Sequence, residues 1–69
     1  MNENFTSVSP KSYCESLSKT DRRRFKNYVA LELDISNFTL GAKLNGKAQW
    51  KPAELSMVKQ IITSESWRQ

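Results

Sequence analysis

Between Ser36 and Lys51 the sequence gathers side chains suited to recognition rather than to bond-breaking: Ser36, Asn37, Phe38, Thr39, Ala42, Lys43, Lys47 and Lys51. The amide of Asn37 can match the edge of an adenine, which presents one acceptor and one donor in the major groove of DNA. Phe38 and Ala42 are apolar and suit the methyl group of thymine. The hydroxyls of Ser36 and Thr39, with the free N–H groups at a helix start, suit phosphate. Lys47, directly after Gly46, is placed to meet the nucleic-acid backbone, and Lys43 and Lys51 add contacts. In the run Arg22-Arg23-Arg24, three neighbours spread over roughly 200° of a helix. Most of the run is therefore a solvated face, with one or two members, Arg24 among them, meeting phosphate.

The residues that are missing exclude other chemistry. There is no His and a single Cys, Cys14, so neither a His/Cys zinc site nor a Ser-His-Asp or Cys-His arrangement can be assembled. No paired acidic side chains support general acid–base catalysis. The expectation is a chain that is not an enzyme and takes no cofactor, no metal and no small-molecule substrate. Cys14 reads as a small packing residue rather than a reactive thiol, because no cationic partner lies beside it in the local sequence. One cysteine cannot form an internal disulfide, which makes a reducing cytoplasm the simplest location. Apolar runs reach only two or three residues, so no membrane span and no apolar leader after Met1 are expected.

The elements that must position these residues follow from caps and spacing. Residues 1–9 are polar without helical periodicity and read as a mobile tail, with residues 10–69 forming a single domain. Phe5 and Val8 are not expected to pack on the body. Ser9 before Pro10 opens a short helix over 10–18 that buries Tyr13 and Leu17. Ser18 or Thr20 caps a second helix from Asp21 to Leu33, where Phe25, Val29 and Leu33 recur every four residues beside Tyr28. After Asp34-Ile35-Ser36, Ser36 caps a third helix over 37–44 with Leu40 and Leu44 inward, ended by Asn45-Gly46. Pro52 and Glu54 start a fourth helix over 52–63 with Leu55, Val58, Ile61 and Ile62 inside. Trp50 and Trp67 read as core or lid residues. The fold class is all-α: a compact domain of four short helices, without strands or repeats. If Leu40 and Leu44 point inward, Phe38 and Ala42 point outward with Thr39 beside them. An outward Phe38 either touches bases or packs on the domain's own surface or on a second subunit.

Two helices joined by a three-residue turn must cross steeply, with a small residue allowing close approach and apolar residues plugging the junction. Ala30, Val29, Leu33, Ile35 and Leu40 have that spacing. Leu33-Asp34-Ile35-Ser36, then Ser36-Asn37-Phe38-Thr39-Leu40 running on to Lys43-Leu44-Asn45-Gly46-Lys47, resemble the lambda-repressor/Cro-type helix-turn-helix family. The resemblance covers residues 20–63. Asp34 stands where the family's turn has Gly, Lys43 where many members bury an aliphatic residue, and Ala42 where many present a long polar reader. The resemblance implies sequence-specific binding to double-stranded DNA by a phage or bacterial transcription regulator such as a repressor. It further implies a dimer; no separate dimerisation domain is expected in the sequence, so the candidate surfaces on the body are helix 52–63 and Trp67.

Charge agrees with that implication. Residues 19–51 hold eight basic side chains against three acidic ones, a net +5, whereas residues 1–18 are net −1 and the whole chain is +4. A polyanion partner suits such a distribution. The alternative is a helical protein-interaction module that keeps the helix-turn-helix without DNA readout, motivated by Ala42 and the outward Phe38. An RNA-binding role is a weaker third option, because the aromatic residues do not line one exposed strand face.

Overall fold

The computed structural model describes residues 9–68. They form four helices: α1 (Pro10–Glu15), α2 (Lys19–Leu33), α3 (Asn37–Leu44) and α4 (Pro52–Ser64), followed by a 3-10 turn at Ser66–Arg68. No strand occurs among the described residues. The tail reading, with Phe5 and Val8, lies outside them except for Ser9.

Each helix starts where a cap can accept its free N–H groups. Ser9 Oγ accepts the Ser12 N–H at 3.1 Å, and Pro10 occupies the first turn, where its missing N–H costs nothing. Helix α1 is shorter than the 10–18 expected from the sequence. Ser18 must be extended (φ −63°, ψ 166°) to cap α2, so the chain has to leave the helical conformation first. The released carbonyls find another donor in Arg22, whose guanidinium reaches Cys14 O, Glu15 O and Leu17 O at 3.2–3.3 Å. Helix α2 starts at Lys19 rather than Asp21, because Ser18 Oγ, not Thr20, takes the Asp21 N–H at 3.2 Å. Glu54 accepts the Lys51 N–H at 3.0 Å and closes the start of α4.

The core is Cys14, Phe25, Val29, Ala30, Leu40, Leu44, Val58, Ile61, Ile62 and Trp67. Tyr13, Leu17, Tyr28, Leu33, Ile35 and Trp50 pack around it half-buried. Leu55, expected on the inner face of α4, is also only half-buried. Trp67 folds back and lies 3% exposed against Phe25 and Tyr13, at ring-centroid distances of 5.7 and 6.5 Å, both edge-on. Its indole N–H donates to Tyr13 Oη at 3.0 Å, and the Tyr13 hydroxyl donates to Glu65 Oε2 at 3.1 Å. The last aromatic residue thereby clamps α1 to α2. With Trp67 covered, the expected role of its ring in a dimer is withdrawn.

Candidate nucleic-acid interface

The candidate site is built on α2, the turn Asp34-Ile35-Ser36 and α3. Asp34 takes the left-handed conformation (φ 60°, ψ 46°) that reverses the chain direction. Asp accepts that region at lower cost than most residues because its short polar side chain can bond locally. The Ile35 N–H then donates to Ala30 O at 3.0 Å and the Asp34 N–H to Leu31 O at 3.2 Å, satisfying the last carbonyls of α2. Ala30 is 6% exposed, so its small side chain lies inside the junction, as the spacing required.

Ser36 (φ −75°, ψ 160°) caps α3, its Oγ accepting the Thr39 N–H at 3.0 Å and donating to Thr39 Oγ1 at 3.0 Å. The Leu40 N–H donates to Ser36 O at 2.9 Å. That leaves the first two N–H groups of the helix, those of Asn37 and Phe38, without an intrahelical partner. Leu40 is 1% exposed and Phe38 88%, so α3 buries one side and presents the other outward. Gly41 and Ala42 are half-exposed. Gly46 (φ 82°) ends the helix, and the Lys47 N–H returns to Ala42 O at 2.9 Å, placing Lys47 just past the C-terminal end of α3.

Two side chains the sequence did not single out belong to this surface. Asn27 Oδ1 accepts from Asn37 Nδ2 at 3.1 Å, across the turn. Asn37 keeps its carbonyl oxygen and a second N–H, the pair an adenine edge requires. Leu31 is 81% exposed and, with Asn27, Ala30, Ile35, Ser36 and Asn37, lines a groove between α2 and α3. The Asn27–Asn37 contact spans ten residues, and only folding of the turn brings the two amides together.

The cations divide into committed and available ones. Lys43 was expected to meet phosphate, and the structure corrects this: the residue is 8% exposed. Its ammonium lies 2.8 Å from Glu54 Oε1, donates to Gln49 O at 3.1 Å and sits 5.9 Å from the Trp50 ring centroid. Lys43 thus fills the inward position between Leu40 and Leu44 with its stem while its charge is neutralised from α4. The Lys43 hydrogen bond, helped by the Lys51 N–H, holds the Glu54 carboxyl below the usual carboxylate range. Arg24 stays exposed, with 48% of its side chain accessible, and has partners within the protein. It pairs with Asp21 at 3.5 Å, donates to Arg68 O at 3.0 Å and lies 5.8 Å from the Trp67 ring, at the C-terminal end of the chain. Arg22 serves the end of α1. Of the run, Arg23 is exposed and forms no ion pair among the described residues. It shares a face of α2 with Asn27, four residues on, and so lies in line with Asn37. Lys47 and Lys51 are exposed, as expected, and Lys26 is half-exposed.

Burial raises the Cys14 thiol above its ordinary pKa, outweighing the opposing charges of Lys26 and Arg22. The described residues contain no cluster of His, Cys, Asp or Glu able to hold a metal, and no described helix is long and apolar enough to cross a membrane. Comparison with protein-family models, curated proteins and solved structures finds no match.

Proposed function

We propose that the chain is a DNA-binding regulator of the lambda-repressor/Cro type, a binding protein rather than an enzyme, acting in the cytoplasm and inserting α3 into the major groove. The orientation of α3 is the observation that supports it: Leu40 anchors the helix while Asn37, Phe38, Gly41 and Ala42 stand on the outer side. On this reading Asn37 bonds an adenine edge, and Phe38 and Ala42 meet thymine methyls. The N–H groups of Asn37 and Phe38, with Ser36, Thr39 and Arg23, hold phosphates beside the start of α3. Lys47 and Lys51 hold phosphates beyond its end. Two copies sit on half-sites about one helical turn apart, meeting through the outer face of α4 around Met57.

A titration against random duplex DNA at two salt concentrations tests the reading. If Arg23, Lys26, Lys47 and Lys51 each neutralise one phosphate, the logarithm of affinity falls with the logarithm of salt at a slope of about −3.6. Absence of binding at low salt removes the proposal.

The 81% and 88% exposure of Leu31 and Phe38 favours a second reading, in which the same surface docks a protein. Apolar docking hardly responds to salt, so the same titration against a candidate protein partner separates the two readings.

A further inference from the structure

Taking the DNA-binding reading as its premise, we propose that α3 selects its site through pyrimidine C5-methyl groups, so that 5-methylcytosine can substitute for thymine. The argument starts from what α3 lacks. Its outward residues are Asn37, Phe38, Gly41 and Ala42. The single cation of the helix, Lys43, is buried on Glu54 Oε1 and Gln49 O. No Arg or Lys of α3 therefore reaches the O6 and N7 atoms of guanine, the commonest base-specific contact. Two polar side chains remain: Thr39, whose hydroxyl accepts from Ser36 Oγ at 3.0 Å, and Asn37, one of whose N–H groups Asn27 already takes.

What the helix does present is apolar. Phe38 stands 88% exposed. Beside it a Cβ built on Gly41 would meet nothing within 4 Å, so no other part of the protein overhangs the helix surface there. The major-groove edges of the bases are hydrogen-bond donors and acceptors with one apolar exception, the C5-methyl of thymine. A phenyl ring entering that groove gains by covering a methyl and loses by covering a polar edge. Phe38 and Ala42 are four residues apart, roughly 6 Å along the helix axis. That distance is close to two base steps of about 3.4 Å each, which sets the separation of the two methyls. The methyl of 5-methylcytosine sits on the same ring carbon and projects into the same groove. Sequence-independent attraction comes from Arg23, Lys26, Lys47 and Lys51, so selection beyond the single adenine contact of Asn37 is left to the apolar face.

The test uses four short duplexes of mixed base order: A·T pairs, the same strands with uracil for thymine, G·C pairs, and those strands with 5-methylcytosine. Binding of the full chain to each is measured at two salt concentrations. Each methyl that is covered should strengthen binding by about fourfold, the value of one buried carbon. Thymine should therefore exceed uracil, and 5-methylcytosine should exceed cytosine. F38A, at an exposed position, should lower both ratios by about fourfold, leaving only the contribution of Ala42, without changing the salt slope. Preference for thymine over uracil without preference for 5-methylcytosine supports methyl readout in thymine alone and overturns the substitution. Equal binding to all four duplexes with a steep salt slope overturns methyl readout and keeps DNA binding. No binding to any duplex at low salt overturns the premise itself.

Discussion

Lys43 and Lys47 lie four residues apart, and in sequence both look like phosphate ligands. Folding separates them, one ammonium against Glu54 and the other in solvent. The same holds in Arg22-Arg23-Arg24, where neighbours serve the end of α1, the solvent and the C-terminal turn in that order. Side-chain type sets what a residue can bond, and the helical angle of about 100° per residue decides which partner it meets. On the proposed DNA-binding reading, substitutions on the outer face should accordingly differ in kind. Asn37→Ala should relax preference at one base position, costing about 1–3 kcal/mol against the preferred base. Lys47→Glu should weaken all sequences alike and flatten the salt slope. A competition assay across single-base variants of a bound site reads both, and an unchanged preference in Asn37→Ala removes that residue from the reading face.

At the level of elements, the pose of α3 depends on two joints. One is the left-handed turn at Asp34. The other is the Lys43–Glu54 pair, which ties the inner side of α3 to the first turn of α4. A charge pair this enclosed is costly when halved, because the remaining charge is left buried without a partner. Glu54→Gln should destabilise the domain by about 3 kcal/mol, the lower end for a buried pair because 14% of the Glu54 side chain remains exposed. The pair also sets a pH dependence. The Glu54 carboxyl is lowered in the folded state, so its contribution is complete above the ordinary glutamate pKa and disappears as pH falls through the lowered value. Urea unfolding midpoints across the acidic range should decline for the native sequence, and Glu54→Gln should decline less. Parallel profiles would place the stabilisation elsewhere.

For the molecule as a whole, closure depends on a residue near the end of the chain. Trp67 is 3% exposed, in edge-on contact with Phe25 and Tyr13 and hydrogen-bonded to the Tyr13 hydroxyl. A chain of 69 residues buries a small core and has little stability in reserve. Trp67→Ala should cost about 3–5 kcal/mol. By circular dichroism this should lower Tm by about 15 °C or more, or abolish the cooperative transition. Trp67→Phe keeps a ring and loses the indole N–H, and should cost less. If the alanine variant melts like the native chain, the C-terminal turn is not part of the cooperative unit.

The sequence alone determined the helical architecture, because caps and breakers act locally. Ser9, Ser36, Pro52 and Gly46 mark boundaries through bonds and dihedrals within a few residues, so the 37–44 helix and its ends agree between sequence and structure. Helical spacing of three or four residues likewise placed Phe25, Val29, Leu40, Val58 and Ile61 inside. The first helix came out too long because two local signals compete at Ser18, and an Arg22 contact from the next helix resolves the ending. The membership of the site was decided by tertiary structure. Asn27 joins Asn37, Lys43 leaves for Glu54 and Arg24 leaves for the C-terminal turn, through contacts between residues 10, 11 and 44 positions apart. Such pairings depend on how helices cross in space, and no short-range pattern of residue types carries that information.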